Sequence, residues 1–158
     1  MTKDVLVSVS GLQAAVNEME NYDEEPIEVL SAGTYYFKDG THFIFYEEVA
    51  EGIPGVTKTQ IRLTGNDSLE VRKKGIANVN MVFEKNKNNR CFYHTPFGQL
   101  NLGIFTKEIW VEEAEDNLNI RAEYAMDVDY EPLAECTIRI NVKSKESKDF
   151  SIHEKMTF

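Results

Sequence analysis

The chain has 158 residues, 42% of them hydrophobic, and its 27 acidic side chains outnumber the 17 basic ones to give a formal net charge of −10. That balance excludes a nucleic-acid partner, whose phosphates need a basic face, and opposes docking on an anionic membrane. The length fits one domain over residues 1–158 that buries about 68–70% of its unfolded surface and needs no metal or disulfide to hold a core.

The first element is VLVSVS, an alternating strand over residues 5–10. The opening MTKDVLVSVSGLQ carries Asp4 and lacks a long apolar run and a small-residue cleavage pattern, so no signal peptide is expected. No apolar stretch reaches the roughly 18 residues of a membrane span. A cytoplasmic location follows, with Cys91 and Cys136 as reduced thiols and the acceptor pattern Asn66-Asp67-Ser68 without consequence. LQAAVNEME, residues 12–20, is the best candidate for a short helix. The acidic NYDEEP that follows reads as a solvated loop, and Pro26 halts the helix.

From there period-2 alternation dominates. IEVLSAGTYYF (27–37) and HFIFYEEV (42–49) flank Asp39-Gly40, a tight hairpin signal. A loop holding Gly52, Pro54 and Gly55 leads to TKTQIRLT (57–64), and Gly65-Asn66-Asp67 turns the chain into SLEVRKK (68–74). A three-residue loop there sets Leu63 opposite Leu69, Ile61 opposite Val71 and Arg62 opposite Glu70, so apolar meets apolar and charge meets countercharge. NVNMVFE (78–84), RCFYHT (90–95), QLNLGIFT (99–106), EIWVEE (108–113), LNIRAEYAM (118–126) and LAECTIRINV (133–142) complete the series. Turning at 114–117 pairs Val111 with Ile120 and Ile109 with Ala122, and places Trp110 against Arg121 as a cation–π pair. Residues 144–158 read as a frayed tail or an extra edge strand. About eleven short strand segments, some of them one strand bent at a bulge, predict an all-β antiparallel barrel or sandwich.

Thr95-Pro96-Phe97-Gly98 has the proline and glycine positions of a type I turn. Read as a three-residue hairpin with a bulge, it sets Phe92 opposite Leu102 and His94 opposite Leu100. Since Leu100, Leu102 and Ile104 form an inward row, His94 and Arg90 are then expected on or at the rim of the apolar face, with Cys91, Tyr93 and Thr95 on the other.

Several pieces in order resemble one family: Gly33-Thr34-Tyr35-Tyr36, Tyr46-Glu47-Glu48, Thr57 to Leu63, Leu69 to Gly75, Met81-Val82-Phe83, Tyr93 to Gly98, then Leu100-Asn101-Leu102 and Thr106. The pattern is similar to that of DUF1934, the YwiB-like bacterial proteins, where tyrosine often stands at the position of Phe97. The resemblance implies a single calycin- or lipocalin-like barrel of about 8–10 strands, no established activity and no catalytic residues.

On the residues alone, His94 is a candidate polar group inside a barrel, set to grip a ligand or move a proton. Arg90 is a candidate carboxylate clamp. Phe92, Tyr124 and Met81 are candidates to line a cavity, since a barrel of this size lies near the point where the interior can hold one small ligand. Cys91 and His94, three apart on a strand, face opposite sides and make no metal pair; His42 and His153 are isolated. Asp127, Asp129 and Glu131 imitate a calcium loop, but Pro132 and Ile138 occupy the positions that need glycine and glutamate. Glu47-Glu48 and Glu112-Glu113 split across the sheet, and no nucleophile elbow or phosphate loop occurs. No cofactor or metal is expected. Three functions remain: a non-enzymatic barrel binding a small, largely apolar ligand; a filled barrel whose outer aromatics are covered by a partner or by a second copy in a homodimer; and an enzyme using His94.

Overall fold

A computed structural model of the chain describes residues 3–11, 28–50 and 52–145. The expected helix at 12–20, the acidic loop before Pro26, His153 and the tail beyond residue 145 lie outside the described residues. The described residues are almost wholly strand: β1 (Lys3–Ser10), β2 (Glu28–Lys38), β3 (Thr41–Ala50), β4 (Ile53–Thr64), β5 (Ser68–Gly75), β6 (Val79–Glu84), β7 (Asn88–Thr95), β8 (Gly98–Ala114), β9 (Asn117–Val128) and β10 (Glu131–Ser144).

All ten join in one antiparallel sheet, ordered β6-β5-β4-β3-β2-β1-β10-β9-β8-β7. The first and last strands therefore meet in the middle, and the sheet curls until its edges, β6 and β7, face each other. There Asn78 and His94 exchange backbone hydrogen bonds of 2.9 and 2.8 Å, and the Asn86 N–H donates to the Thr106 carbonyl at 2.8 Å. These few bonds pin the facing edges at either end of β6. The fold is a nearly closed antiparallel barrel.

Local chemistry sets most of the register. Asp39 and Gly40 both take positive φ, 52° and 78°, as a two-residue primed turn requires. The Gly65 loop places Leu63 opposite Leu69, Ile61 opposite Val71 and Arg62 opposite Glu70. In the β8–β9 hairpin Ile109 faces Ala122 and Val111 faces Ile120, while the Arg121 guanidinium lies 3.9 Å from the Trp110 ring centre. The two segments expected at 99–106 and 108–113 are one strand, β8, with a register shift between Thr106 and Glu108. The extra residue, Lys107, restores the inward parity, so Leu102, Ile104 and Thr106 before it and Ile109 after it are all buried. The Gly-Pro-Gly stretch read as loop instead begins β4 at Ile53, a register shift after Glu48 absorbing the misfit.

One expected register is wrong. Thr95 pairs with Gly98 across a two-residue loop, so Cys91 faces Leu102, Phe92 faces Asn101, Tyr93 faces Leu100 and His94 faces Gln99. A slip of one residue turns every side chain of the strand to the other face.

The barrel's centre is packed. Met81, Phe83, Leu102, Ile104 and Tyr124 are between 0 and 1% exposed, and Phe83 meets Tyr124 edge to face with ring centres 4.9 Å apart. A void large enough for one water would leave surface on these walls, so the middle is filled by side chains.

Candidate functional site

The residues singled out from the sequence divide between the two faces. Tyr124 and Met81 point inward as expected and are part of the packed core. Phe92 is 53% exposed, and the His94 side chain is also exposed on the outside of the barrel. What His94 contributes at this seam is backbone: its N–H and C=O close the barrel against Asn78. The expectation that His94 and Arg90 lie at the apolar face is thus corrected, because the hairpin loop is one residue shorter than the turn chemistry implied. Cys91 and Tyr93 take the inward positions and pack against the core. Burial raises the Cys91 thiol to about 11, a small opposing pull coming from Arg90, so it is held as an unreactive thiol.

Arg90 is a clamp, but for a carboxylate of its own chain. Its two terminal nitrogens donate to Asp127 at 3.1 and 2.8 Å, and one donates also to the Asn101 side-chain oxygen at 3.1 Å. The Tyr130 ring centre lies 3.8 Å from the same guanidinium. The hydrogen bond from Arg90 is the main reason that the Asp127 carboxyl sits below the usual carboxylate range.

The inner face offers two polar sites, one at each end of the β3 row His42–Ile44–Tyr46–Glu48. At the mouth near the β2–β3 hairpin, His42 is only 5% exposed. The Tyr35 hydroxyl lies 2.7 Å from its Nδ1, and the Glu113 carboxylate lies 3.4 Å from its Nε2. Burial lowers the imidazole's pKa while Glu113 pulls it back up, so neutral histidine with the proton on Nε2 satisfies both neighbours: Tyr35 donates to Nδ1 and Nε2–H points to Glu113. Burial also raises the Tyr35 phenol, aided by Glu113. The Phe37 ring packs edge-on against the imidazole at 4.7 Å. Beside this chain of groups opens a cavity of about 350 Å³ lined by Val5, Tyr35, Phe37, Leu118 and Val142, together with the charged Lys3, Glu113, Glu115 and Asp116.

At the other end, Lys73 and Glu48 form an ion pair of 3.0 Å with side chains only 6% and 13% exposed. The Thr59 hydroxyl donates to the same Glu48 oxygen at 3.0 Å. The phenols of Tyr46 and Tyr93 are both raised, by burial first and then by the Glu48 charge. Neither polar site was singled out from the sequence, yet parity was the available signal: in HFIFYEE, His42 and Glu48 share the register of Ile44 and Tyr46. Among the described residues no three His, Cys, Asp or Glu side chains converge as metal ligands would, and no helix is long and apolar enough to cross a membrane.

No curated protein matches this sequence. The crystal structure of the YwiB protein from Bacillus subtilis superposes with a TM-score of 0.71 at 20% sequence identity, covering 90% of this chain and 92% of that one, which shows a shared fold. The family model described as a domain of unknown function, DUF1934, matches residues 12–140. The ordered pieces from Gly33-Thr34-Tyr35-Tyr36 to Thr106 are thus explained, and the chain belongs to the DUF1934 family.

Proposed function

We propose that the protein is a non-enzymatic, cytoplasmic barrel that binds a small, largely apolar ligand at its mouth. The observation that carries this reading is the cavity of about 350 Å³ whose walls are Val5, Tyr35, Phe37, Leu118 and Val142. Its volume is at the lower end of small-molecule sites, and its lining is divided between Val5, Tyr35, Phe37, Ala114, Leu118 and Val142 on one hand and Lys3, Glu113, Glu115, Asp116, Asn117 and Ser144 on the other, which suits a ligand with an apolar body and a polar end. The packed centre around Tyr124 and Met81 offers no comparable space. Tyr35 and Glu113, the two partners of His42, supply polar contacts, and because Glu113, Glu115 and Asp116 outnumber Lys3 in the lining, a ligand whose polar end is neutral or cationic is favoured. No nucleic acid, membrane or cofactor enters this reading.

Titration with an apolar fluorescent probe tests it, together with native mass spectrometry of protein purified from its own cytoplasm. A displaceable probe, weakened several-fold by Phe37→Ala, supports the proposal; no bound mass and no displaceable probe ends it.

A second reading has its own observation. On the outside of β2 and β3, Tyr36 stacks on Phe43 and Phe45 with ring centres 4.6 and 5.8 Å apart. Such a surface suits a filled barrel that self-associates, as a homodimer. A monomer in analytical ultracentrifugation at micromolar concentration removes this alternative.

A further inference from the structure

Four strands carry an in-register row across the outer face of the barrel: Trp110 on β8, Arg121 on β9, Arg139 on β10 and Ser10 on β1. The next row on the same face reads Glu112, Asn119, Asn141, Ser8. All eight line one open groove of about 430 Å³. The centre of this groove is electrostatically odd. Arg121 and Arg139 stand directly opposite each other on neighbouring strands, where like charges destabilise a sheet. No ion pair among the described residues involves either of them, although the chain carries an excess of ten negative charges. Glu112, the one acid in the groove, is not paired to them.

The neighbouring groups are donors. The Asn141 side-chain NH2 donates to the Asn119 oxygen at 2.6 Å, which leaves the NH2 of Asn119 as a donor to the groove. The hydroxyls of Ser8 and Ser10 lie along the β1 edge. Arg121 is held against the Trp110 face at 3.9 Å, which fixes one fork of the pair before any ligand arrives. Two guanidinium forks side by side, with an amide and two hydroxyls around them, match an oxyanion with several acceptor oxygens.

We infer that this outer groove is a binding site for the oxyanion group of a small phosphorylated or carboxylated ligand, held between Arg121 and Arg139. It is independent of the barrel mouth, which lies on the inner face.

Trp110 is the chain's single tryptophan, so its emission reports on the groove. The full-length protein is titrated with inorganic phosphate, and separately with malonate, at ionic strength held constant with chloride. The expected result is a saturable change in emission and a rise in melting temperature with one of the two. Phosphate alone assigns a phosphoryl ligand, and malonate alone a carboxylate. Arg139→Gln, which leaves the Arg121–Trp110 contact in place, should weaken the response at least tenfold. Without added anion it should melt no lower than wild type, because a like-charge pair is gone; a merely structural arginine would not behave so. Arg72→Gln, an exposed arginine on β5, is the control and should bind as wild type does. Responses to phosphate and malonate no greater than to chloride, or an unchanged response in Arg139→Gln, overturn the inference.

Discussion

Arg90 and Asp127 clasp each other across an intervening strand, with Gly103 of β8 directly between them in register. A Cβ on Gly103 would fall well inside contact distance of both the guanidinium and the carboxylate. Glycine is needed here for space, since its backbone is not in the left-handed region. The clasp ties β7, an edge strand, to β9 across β8, and so holds that edge strand to the body of the sheet.

Gly103→Ala should therefore cost about 1–3 kcal/mol, the usual range for a side chain forced into filled space. In an Asp127→Ala background most of that penalty should vanish, because Arg90 is then free to swing away. Denaturant unfolding of the two single variants and the double variant measures the coupling. Additive effects would mean that the pair does not occupy the space above Gly103.

Tyr130 shares this cluster at a strained backbone position, φ 71°, beside Asp129 at 52°. A bulky residue there is an outlier, offset by stacking on Arg90 and by the N–H bond to the Asp127 carboxylate at 3.1 Å. Tyr130→Ala keeps the strain and loses the stack, and should be the less stable of two variants. Tyr130→Gly relieves the strain and should melt higher, by about 1 kcal/mol in stability. Equal stabilities would contradict the assignment of strain.

If the barrel's centre is as full as its buried walls indicate, Met81→Ala should cost about 2–5 kcal/mol, through lost transfer energy and the cavity left behind. A side chain lining a hollow would cost far less on truncation. Chemical denaturation at neutral pH separates the two cases, and a loss under about 1 kcal/mol would reopen the interior to a ligand.

The sequence carried the barrel because its hairpins are governed by short-range chemistry. Asp39-Gly40 and Gly65-Asn66-Asp67 specify their own loop lengths, and flanking aliphatics such as Ile61 and Val71 agree with them. Thr95-Pro96-Phe97-Gly98 does not specify its length: the same proline and glycine serve a two-residue or a three-residue loop. The alternation in β7 does not decide between them either, since Cys91 and Tyr93 suit an interior about as well as Phe92 and His94 do. One ambiguous turn thus moved the expected site to the wrong face. His42 and Glu48 were legible by parity alone; what alternation cannot supply is that Tyr35, Glu113, Thr59 and Lys73 converge on them from other strands.

Glu48 and Lys73 make a buried pair whose removal in halves should be costly. Glu48→Ala leaves an ammonium with no carboxylate in an apolar wall, and a loss of about 3–5 kcal/mol is expected. Glu48→Leu with Lys73→Met removes both charges and should recover most of it. Should the double variant be as unstable as Glu48→Ala, the pair would be contributing geometry that hydrophobic replacement cannot supply.

The mouth site makes the last prediction, one of pH. Burial holds the His42 imidazole below its ordinary value of 6.5, against the raising pull of Glu113. On acidification the unfolded chain takes up this proton before the folded one does. Stability from neutral His42 is thus fully present above about pH 6.5 and falls as the pH drops through the folded pKa. Glu113→Gln takes away the group that pulls the pKa up, so the folded pKa should drop further. The acid-side loss should then extend to lower pH and reach a greater depth. An imidazole titration by NMR, run beside thermal melts from pH 8 to 5, reads both effects. A wild-type His42 that titrates at or above 6.5 would show that Glu113 and not burial governs this histidine, and a Glu113→Gln value that rises would show that Glu113 does not pull it up.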